Sequence, residues 1–265
     1  MGYLSQKLAD VRRALELRPL DDAANLARAR AMRPPRDFQA ALQTGHPSVI
    51  AEVKRSSPSA GAIADRDPVE QARRYEAGGA AVISVLTDER DFGGSLADLR
   101  AVRVAVDVPL LRKDFLVHPS QLIEARAAGA DAVLLIVAAL SDLELAALLA
   151  TCGDLAIGAL VETHTNRDLE RALSAGAPVI GVNARDLESL EVDVEAAFLR
   201  LARIPDDRVV VLESGIARRK DVEAAAGAGA SAILVGEALM RASDPSAKLR
   251  ELRGSLGAEQ EGVST

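Results

Sequence analysis

Eight short apolar runs alternate with longer amphipathic stretches along most of this chain, and that alternation constrains its fold more than any other feature. The runs cover residues 49–53, 81–86, 109–111, 132–137, 156–161, 179–182, 209–212 and 232–235. Between them, residues 68–77, 96–106, 121–128, 143–151, 167–175, 194–202 and 218–226 carry apolar side chains at helical spacing. Strand and helix in strict alternation point to an α/β fold built on a parallel sheet. A weak internal repeat narrows the choice. Ala77-Gly78-Gly79-Ala80, Ala128-Gly129-Ala130, Ala175-Gly176-Ala177 and Ala228-Gly229-Ala230 each end a helix just ahead of an even-numbered run. Glycine there suits a left-handed helix cap. Each repeat spans two strand–helix units, so the chain divides into four quarters and predicts a closed (βα)8 TIM barrel. An open doubly wound sheet is the competing architecture.

Length is compatible with one barrel, since 265 residues with 49% hydrophobic content exceed what a barrel of about 250 residues needs. Composition bears on partners. The chain has two Tyr, four Phe and no Trp, so the core is Ala, Val, Leu and Ile, and little is available to stack on bases. A net charge of −7 also disfavours a polyanion, and no nucleic-acid partner is expected. The single cysteine, Cys152, excludes an internal disulfide and suits a reducing compartment. With no signal peptide and no span of about 20 apolar residues, a soluble cytoplasmic protein without membrane association is expected. Residues 1–47 read as a helical extension packing on the barrel, either as structure or as a lid over the rim: Leu4, Leu8, Val11 and Leu15 share a helical face, Asp21 or Asp22 caps a second helix, and Pro34-Pro35 stops it. The barrel then occupies residues 48–253, and 254–265 read as a disordered tail.

A barrel places its chemistry where strands end, so the residues after each run are the informative ones. On the first strand Glu52 and Lys54 share one face. An isolated Glu-x-Lys is usually a solvated ion pair, but similar endings recur down the chain. Thr87 and Phe92-Gly93-Gly94-Ser95 follow the second run and Lys113-Asp114-Phe115 the third. Glu162 follows the fifth, Asn183 and Arg185 the sixth, and Glu213-Ser214-Gly215 the seventh. Three glutamates and two lysines on one rim favour catalysis over structure, because buried charge is costly. Gly215 and Gly236 open adjacent loops whose N–H groups suit an anion, the usual phosphate site of such barrels. Glu237 fits that site only if its carboxylate turns aside. Arg112 is expected to point away from the rim and Cys152 into the core. His46, His118 and His164 read as surface or loop residues, since none ends a run.

These residues fall in motifs that resemble the indole-3-glycerol phosphate synthase family of tryptophan biosynthesis. They are Ala51-Glu52-Val53-Lys54-Arg55-Ser56-Ser57-Pro58-Ser59, Leu111-Arg112-Lys113-Asp114-Phe115, Leu160-Val161-Glu162, Gly181-Val182-Asn183-Ala184-Arg185-Asp186-Leu187, Glu213-Ser214-Gly215-Ile216 and Val235-Gly236-Glu237-Ala238-Leu239-Met240-Arg241. The resemblance runs from about residue 3 to 252. It implies ring closure of 1-(2-carboxyphenylamino)-1-deoxyribulose 5-phosphate with loss of carbon dioxide and water, the fourth step from chorismate. Decarboxylation restores aromaticity, so no metal and no cofactor is implied. By resemblance Lys113 protonates the ketone oxygen. Glu162, with Lys54 or Lys113, serves the dehydration. Lys54 meets the substrate carboxylate and Glu52 orients it, while Asn183, Glu213 and Ser214 hold anilino and hydroxyl groups. Ser57, Gly215, Gly236 and the N–H of Glu237 hold phosphate, and Phe92, Phe115, Arg185 and Leu187 complete the substrate site. Two departures concern loops: Ala184 stands where many members have a second Asn, and Thr163-His164 replaces the commoner Val-His. A Schiff-base aldolase on a sugar phosphate is the alternative enzyme, and a non-catalytic phosphate-binding barrel the alternative class. A monomer or weak homo-oligomer is expected.

Overall fold

Parallel strands β1 (Ser48–Val53), β2 (Val82–Leu86), β3 (Leu110–Lys113), β4 (Ala132–Ile136), β5 (Gly158–Thr163), β6 (Val179–Asn183), β7 (Val209–Glu213) and β8 (Ala232–Val235) close into a barrel in a computed structural model. It describes residues 2–43, 47–57, 61–63 and 66–254. Each strand pairs with its sequence neighbours and β8 returns to β1, so the barrel and not the open sheet is the architecture. Partnered residues of a parallel pair share a face. The registers Glu52 with Ser84, Leu86 with Lys113, Ile136 with Glu162, Glu162 with Gly181 and Asn183 with Glu213 therefore set one inward-facing series.

Helices α1 (Tyr3–Leu17), α2 (Asp22–Ala31) and α3 (Phe38–Ala41) precede the barrel. Asp21 is the cap of α2, accepting the Ala24 N–H at 2.9 Å, whereas Asp22 accepts the Ser120 hydroxyl at 2.8 Å and ties α2 to the barrel wall. Phe38 of α3 is 2% exposed and fills the space that a side chain on inward-facing Gly158 would need, 2.8 Å away. It plugs the floor of the barrel, and truncating it to Ala would cost about 3–5 kcal/mol.

Outside the strands lie α4 (Pro68–Ala77), α5 (Glu89–Phe92), α6 (Leu96–Ala105), α7 (Pro119–Ala127), α8 (Asp142–Asp154), α9 (Asn166–Ser174), α10 (Val194–Leu201), α11 (Arg219–Gly227), α12 (Glu237–Arg241) and α13 (Pro245–Arg253). The four repeated glycines do the same job. Gly79, Gly129, Gly176 and Gly229 have φ of 87°, 97°, 76° and 100°. At each, the glycine N–H bonds three residues back and the next N–H five residues back, as in Gly79 to Glu76 and Ala80 to Tyr75. This pair of hydrogen bonds is the Schellman motif, which satisfies carbonyls that the helix end leaves open.

The same motif ends α8 with an alanine in the glycine position. Ala156 has φ 54° and donates to Gly153, while Ile157 donates to Cys152. The apolar run at 156–161 therefore begins too early, and β5 starts at Gly158 and extends through Thr163. Val137 likewise leaves β4 for a 3-10 turn over Val137–Ala139. Arg112 points outward as expected, bonding Thr87 Oγ1 at 3.1 Å, the Gln121 carbonyl at 3.1 Å, Glu124 at 2.9 Å and Asp114 at 3.1 Å. Thr87 belongs to this outer network and not to the rim. Cys152 is buried. His46 and residues 255–265 lie outside the described residues, and Ser57 is placed by its backbone alone, in a two-stranded hairpin of Ser56–Ser57 with Gly61–Ala62.

Candidate active site

Three carboxylates are buried together at the C-terminal mouth of the barrel: Glu52, Glu162 and Glu213 are 3%, 2% and 1% exposed. Burial on that scale requires partners. Lys113 supplies one to all three, its Nζ lying 2.8 Å from Glu213, 3.4 Å from Glu162 and 3.8 Å from Glu52. Lys54 Nζ takes the other oxygen of Glu52 at 2.7 Å. Three carboxyl groups thus face two ammonium groups before any ligand enters.

The balance of burial and charge differs at each group. Burial pulls the Lys113 ammonium toward neutrality, but Glu213, Glu162 and Glu52 outweigh it and raise its pKa, so it stays charged. Burial opposes ionisation of Glu52 too, yet Lys54 and Lys113 hold its carboxyl below the usual range. Glu162 and Glu213 compete for Lys113. Glu162 is held low by Lys113 and His164 against its burial, and Glu213 is pushed up by its burial and by Glu162. Two carboxyls driven apart in this way separate a base from a proton-holding acid.

Room for these side chains comes from two glycines. A side chain on Gly181 would start 2.3 Å from Glu213 Oε1, and one on Gly236 would start 2.3 Å from Glu52 Oε1 and 3.1 Å from Lys54 Nζ. Gly236, read from sequence as a phosphate contact, is therefore needed for the Glu52–Lys54 pair as well. On the neighbouring loop Ser214 donates to Asn183 Oδ1 at 2.8 Å, and the Arg185 N–H donates to the same oxygen at 3.0 Å. Ser214 itself is left-handed, with φ 68°, followed by Gly215 at 79°. A serine in that region is strained and needs its surroundings to hold it.

These groups open on a cavity of about 540 Å³ lined by Glu52, Lys54, Phe92, Lys113, Phe115, Glu162, Asn183, Arg185, Leu187, Glu213, Ser214, Gly215, Gly236 and Glu237. Its apolar wall also includes Leu134, Ile136, Leu190 and Ile216. The Arg185 guanidinium donates to the Leu190 carbonyl at 2.9 Å and so stays on its own loop. Glu237 pairs with Arg241 one helical turn on, at 3.0 Å, which occupies its carboxylate and leaves its N–H available. Every predicted site residue with a described side chain lines this one cavity; Ser57 does not enter the comparison.

Sequence reasoning missed a group from α1. Tyr3 also lines the cavity, stacks edge-on to Phe115 at 6.4 Å and donates to Asp91 at 2.9 Å. Lys7, 7% exposed, pairs with Asp88 at 2.5 Å and Asp91 at 2.7 Å and stands over the Phe115 ring. Arg12 reaches Glu144 at 2.7 Å. Aromatic scarcity was the available signal: Tyr3, Phe92 and Phe115 are half of the chain's six aromatic residues and meet at one mouth. His164 is a correction. It follows β5 directly and its side chain is 6% exposed, with Nε2 3.2 Å from Glu162 Oε1. His118 instead caps α7, accepting the Ser120 N–H at 3.3 Å. Among the described residues no group of three or more His, Cys, Asp or Glu is arranged to hold a metal ion.

Known folds and sequences resemble this chain to different degrees. Solved structures of a 3-hexulose-6-phosphate synthase and of a thiamine phosphate pyrophosphorylase from Pyrococcus furiosus superpose with TM-scores of 0.63 and 0.60. They are 18% and 17% identical, cover 78% and 83% of this chain and 99% and 97% of their own, and bear on the fold alone. The sequence profile described as indole-3-glycerol phosphate synthase matches residues 2–252. Proteins of that name from Nocardioides sp. and Mycobacterium ulcerans are 52% and 54% identical over 260 and 228 residues. Those alignments take in 96% and 85% of this chain and 99% and 84% of the relatives.

Proposed function

This chain belongs to the indole-3-glycerol phosphate synthase family, and from that premise we propose how its rim divides the work. The reaction is that of a carboxy-lyase of tryptophan biosynthesis. The aromatic carbon that bears the carboxylate attacks the ribulose ketone, carbon dioxide leaves, and loss of water closes the indole.

In the proposed arrangement Lys113 donates to the ketone oxygen as the carbon–carbon bond forms and delivers the proton to the developing alkoxide. Its three carboxylate neighbours support this role, since they keep it charged until a more basic oxygen appears. Loss of carbon dioxide returns the electron pair to the ring. In the dehydration Glu162, held ionised, takes the proton whose loss forms the new double bond, while Lys54 or Lys113 protonates the departing hydroxyl. Lys54 binds the substrate carboxylate and is aimed by Glu52. Asn183, Ser214 and Glu213 hold the anilino nitrogen and hydroxyls. Phe92, Phe115 and Leu187 take the aromatic ring, with Arg185 beside it. Ser57, Gly215, Gly236 and the N–H of Glu237 take the phosphate. The observation that carries the proposal is the ammonium of Lys113 set within 3.8 Å of three buried carboxylates at the cavity.

Residues 1–47 act in this reading as a cover for the mouth, supported by the Tyr3 and Lys7 contacts. The barrel spans 48–253. In this reading the enzyme works in the cytoplasm as a monomer or weak homo-oligomer, and without nucleic acid, the last supported by its net charge of −7. Among the described residues no helix is long and apolar enough to cross a membrane. The direct test is to supply the purified chain with the anilino-deoxyribulose phosphate in excess chelator and follow indole fluorescence. Product at an unchanged rate is expected; activity that disappears in chelator and returns with a divalent metal would sink the scheme.

A further inference from the structure

The carboxylate of Glu162 is approached at both oxygens: Lys113 lies 3.4 Å from Oε2 and the imidazole Nε2 of His164 lies 3.2 Å from Oε1. The histidine is itself held. Its backbone N–H donates to Asp168 Oδ2 at 3.2 Å, and that same carboxylate completes the capping box with Thr165 that starts α9. Its ring is almost wholly enclosed, and within the described structure neither nitrogen has an aligned hydrogen-bond partner. A buried imidazole without a partner calls for an explanation. Glu162 Oε1 is already within hydrogen-bond distance of Nε2, at 3.2 Å, and only the alignment is missing.

We propose that His164 is the positioning residue for Glu162: its Nε2–H holds Oε1, which fixes the carboxylate plane and leaves Oε2 toward Lys113 and the substrate. The inference rests on the reading that Glu162 is the base of the dehydration. A donor to an ionised carboxylate favours the charged form, so the contact also keeps Glu162 ready to accept a proton. The charged groups around the pair are Glu162 on β5 and Asp186 after β6, which act on the imidazole, and Asp168 on α9, which accepts the His164 backbone N–H. Lys113 on β3, Glu52 on β1 and Glu213 on β7 face the carboxylate.

Two variants test the contact. His164→Leu keeps bulk and removes the donor; His164→Gln places an amide N–H near the position of Nε2. His164→Leu is expected to lower kcat by about 10- to 100-fold, the loss typical of a hydrogen bond to a charged group, and to change KM by no more than about twofold. The acidic limb of its kcat/KM profile should move to higher pH, because Glu162 loses a group that favours its charged form. His164→Gln should recover most of both effects. In a Glu162→Gln background, His164→Leu should cost nothing more. Unchanged kcat and acidic limb in His164→Leu would overturn the inference. So would a His164→Gln as impaired as His164→Leu with an equal fall in Tm, which would mark the ring as packing. If Glu162→Gln alone keeps full turnover, the underlying reading fails and the inference with it. An inactive Glu162→Gln beside a normal His164→Leu removes the inference only.

Discussion

Gly181→Ala adds one methyl group inside the barrel and should act on turnover, not on folding. Its backbone is not in the left-handed region, so alanine is tolerated locally. The new Cβ would lie 2.3 Å from Glu213 Oε1, whereas ordinary contact begins at 3.4 Å. The carboxylate must therefore retreat by about 1 Å, and a displacement of that size at a reacting centre costs about 10²-fold. Glu213 now bonds Lys113 at 2.8 Å; moved back, it leaves hydrogen-bond range. Lys113 then rests on Glu162 and Glu52 alone, and the ammonium shifts away from the ketone. We expect kcat to fall about 10²-fold by indole fluorescence with Tm within about 2 °C of the parent. Gly229→Ala is the control, since its added Cβ meets nothing within 4 Å but its φ is 100°. That change should lower Tm and leave kcat alone. A Gly181→Ala variant with parental kcat would refute the reasoning, because Glu213 would then have no fixed place to lose.

Lys113→Ala should lower kcat by about 10² to 10⁴ while keeping affinity for a reduced, unreactive substrate analogue. Lys54→Ala should weaken that affinity too, and the opposite pattern would exchange their roles. Ala156→Gly relieves a left-handed alanine worth about 1–2 kcal/mol and gives back part of this in chain entropy. A gain of about 0.5–1 kcal/mol in urea unfolding is expected, and a loss would mean that φ 54° carries no strain. Lys7→Ala removes the cation between Asp88 and Asp91 and should raise KM by about 10-fold with little change in kcat; a large fall in Tm at constant KM would make α1 simple packing. Burial pushes the Cys152 thiol up to about 12, so a thiol reagent at pH 8 should label the chain only in denaturant, and rapid labelling of the native protein would contradict its enclosure.

Much of this molecule could be read in its sequence because barrels write their strands locally. Eight apolar runs and four Ala-Gly-Ala joints carry the topology, and the two-residue period of a strand puts Glu52 beside Lys54 and turns Arg112 away from Lys113. What stayed hidden is non-local or runs against the local signal. Tyr3 and Asp91 are 88 positions apart, and nothing within α1 announces the contact. His164 was misread because the apolar run stops at Val161, whereas the β5 ladder continues through Glu162 and Thr163. Ala156 looked like the start of a strand because alanine is apolar, but the end of α8 imposes a left-handed residue there. Choosing Asp21 over Asp22 needed the position of Ser120, a hydroxyl on a distant helix.

The empty side-chain position of Gly236 has a consequence for how the protein is made. Ser48 pairs with Ala232 along the β1–β8 seam, the contact between barrel strands with the longest intervening chain. Closing so long a loop is slow relative to forming neighbouring strand–helix units. Gly236 lies just beyond that seam, and the Glu52–Lys54 pair takes its place against it only once the first and last strands have met. Catalytic competence is therefore withheld from any chain that has folded its quarters but not joined its ends. During refolding, the return of turnover should report the final annealing of the seam and lag behind the return of helical signal.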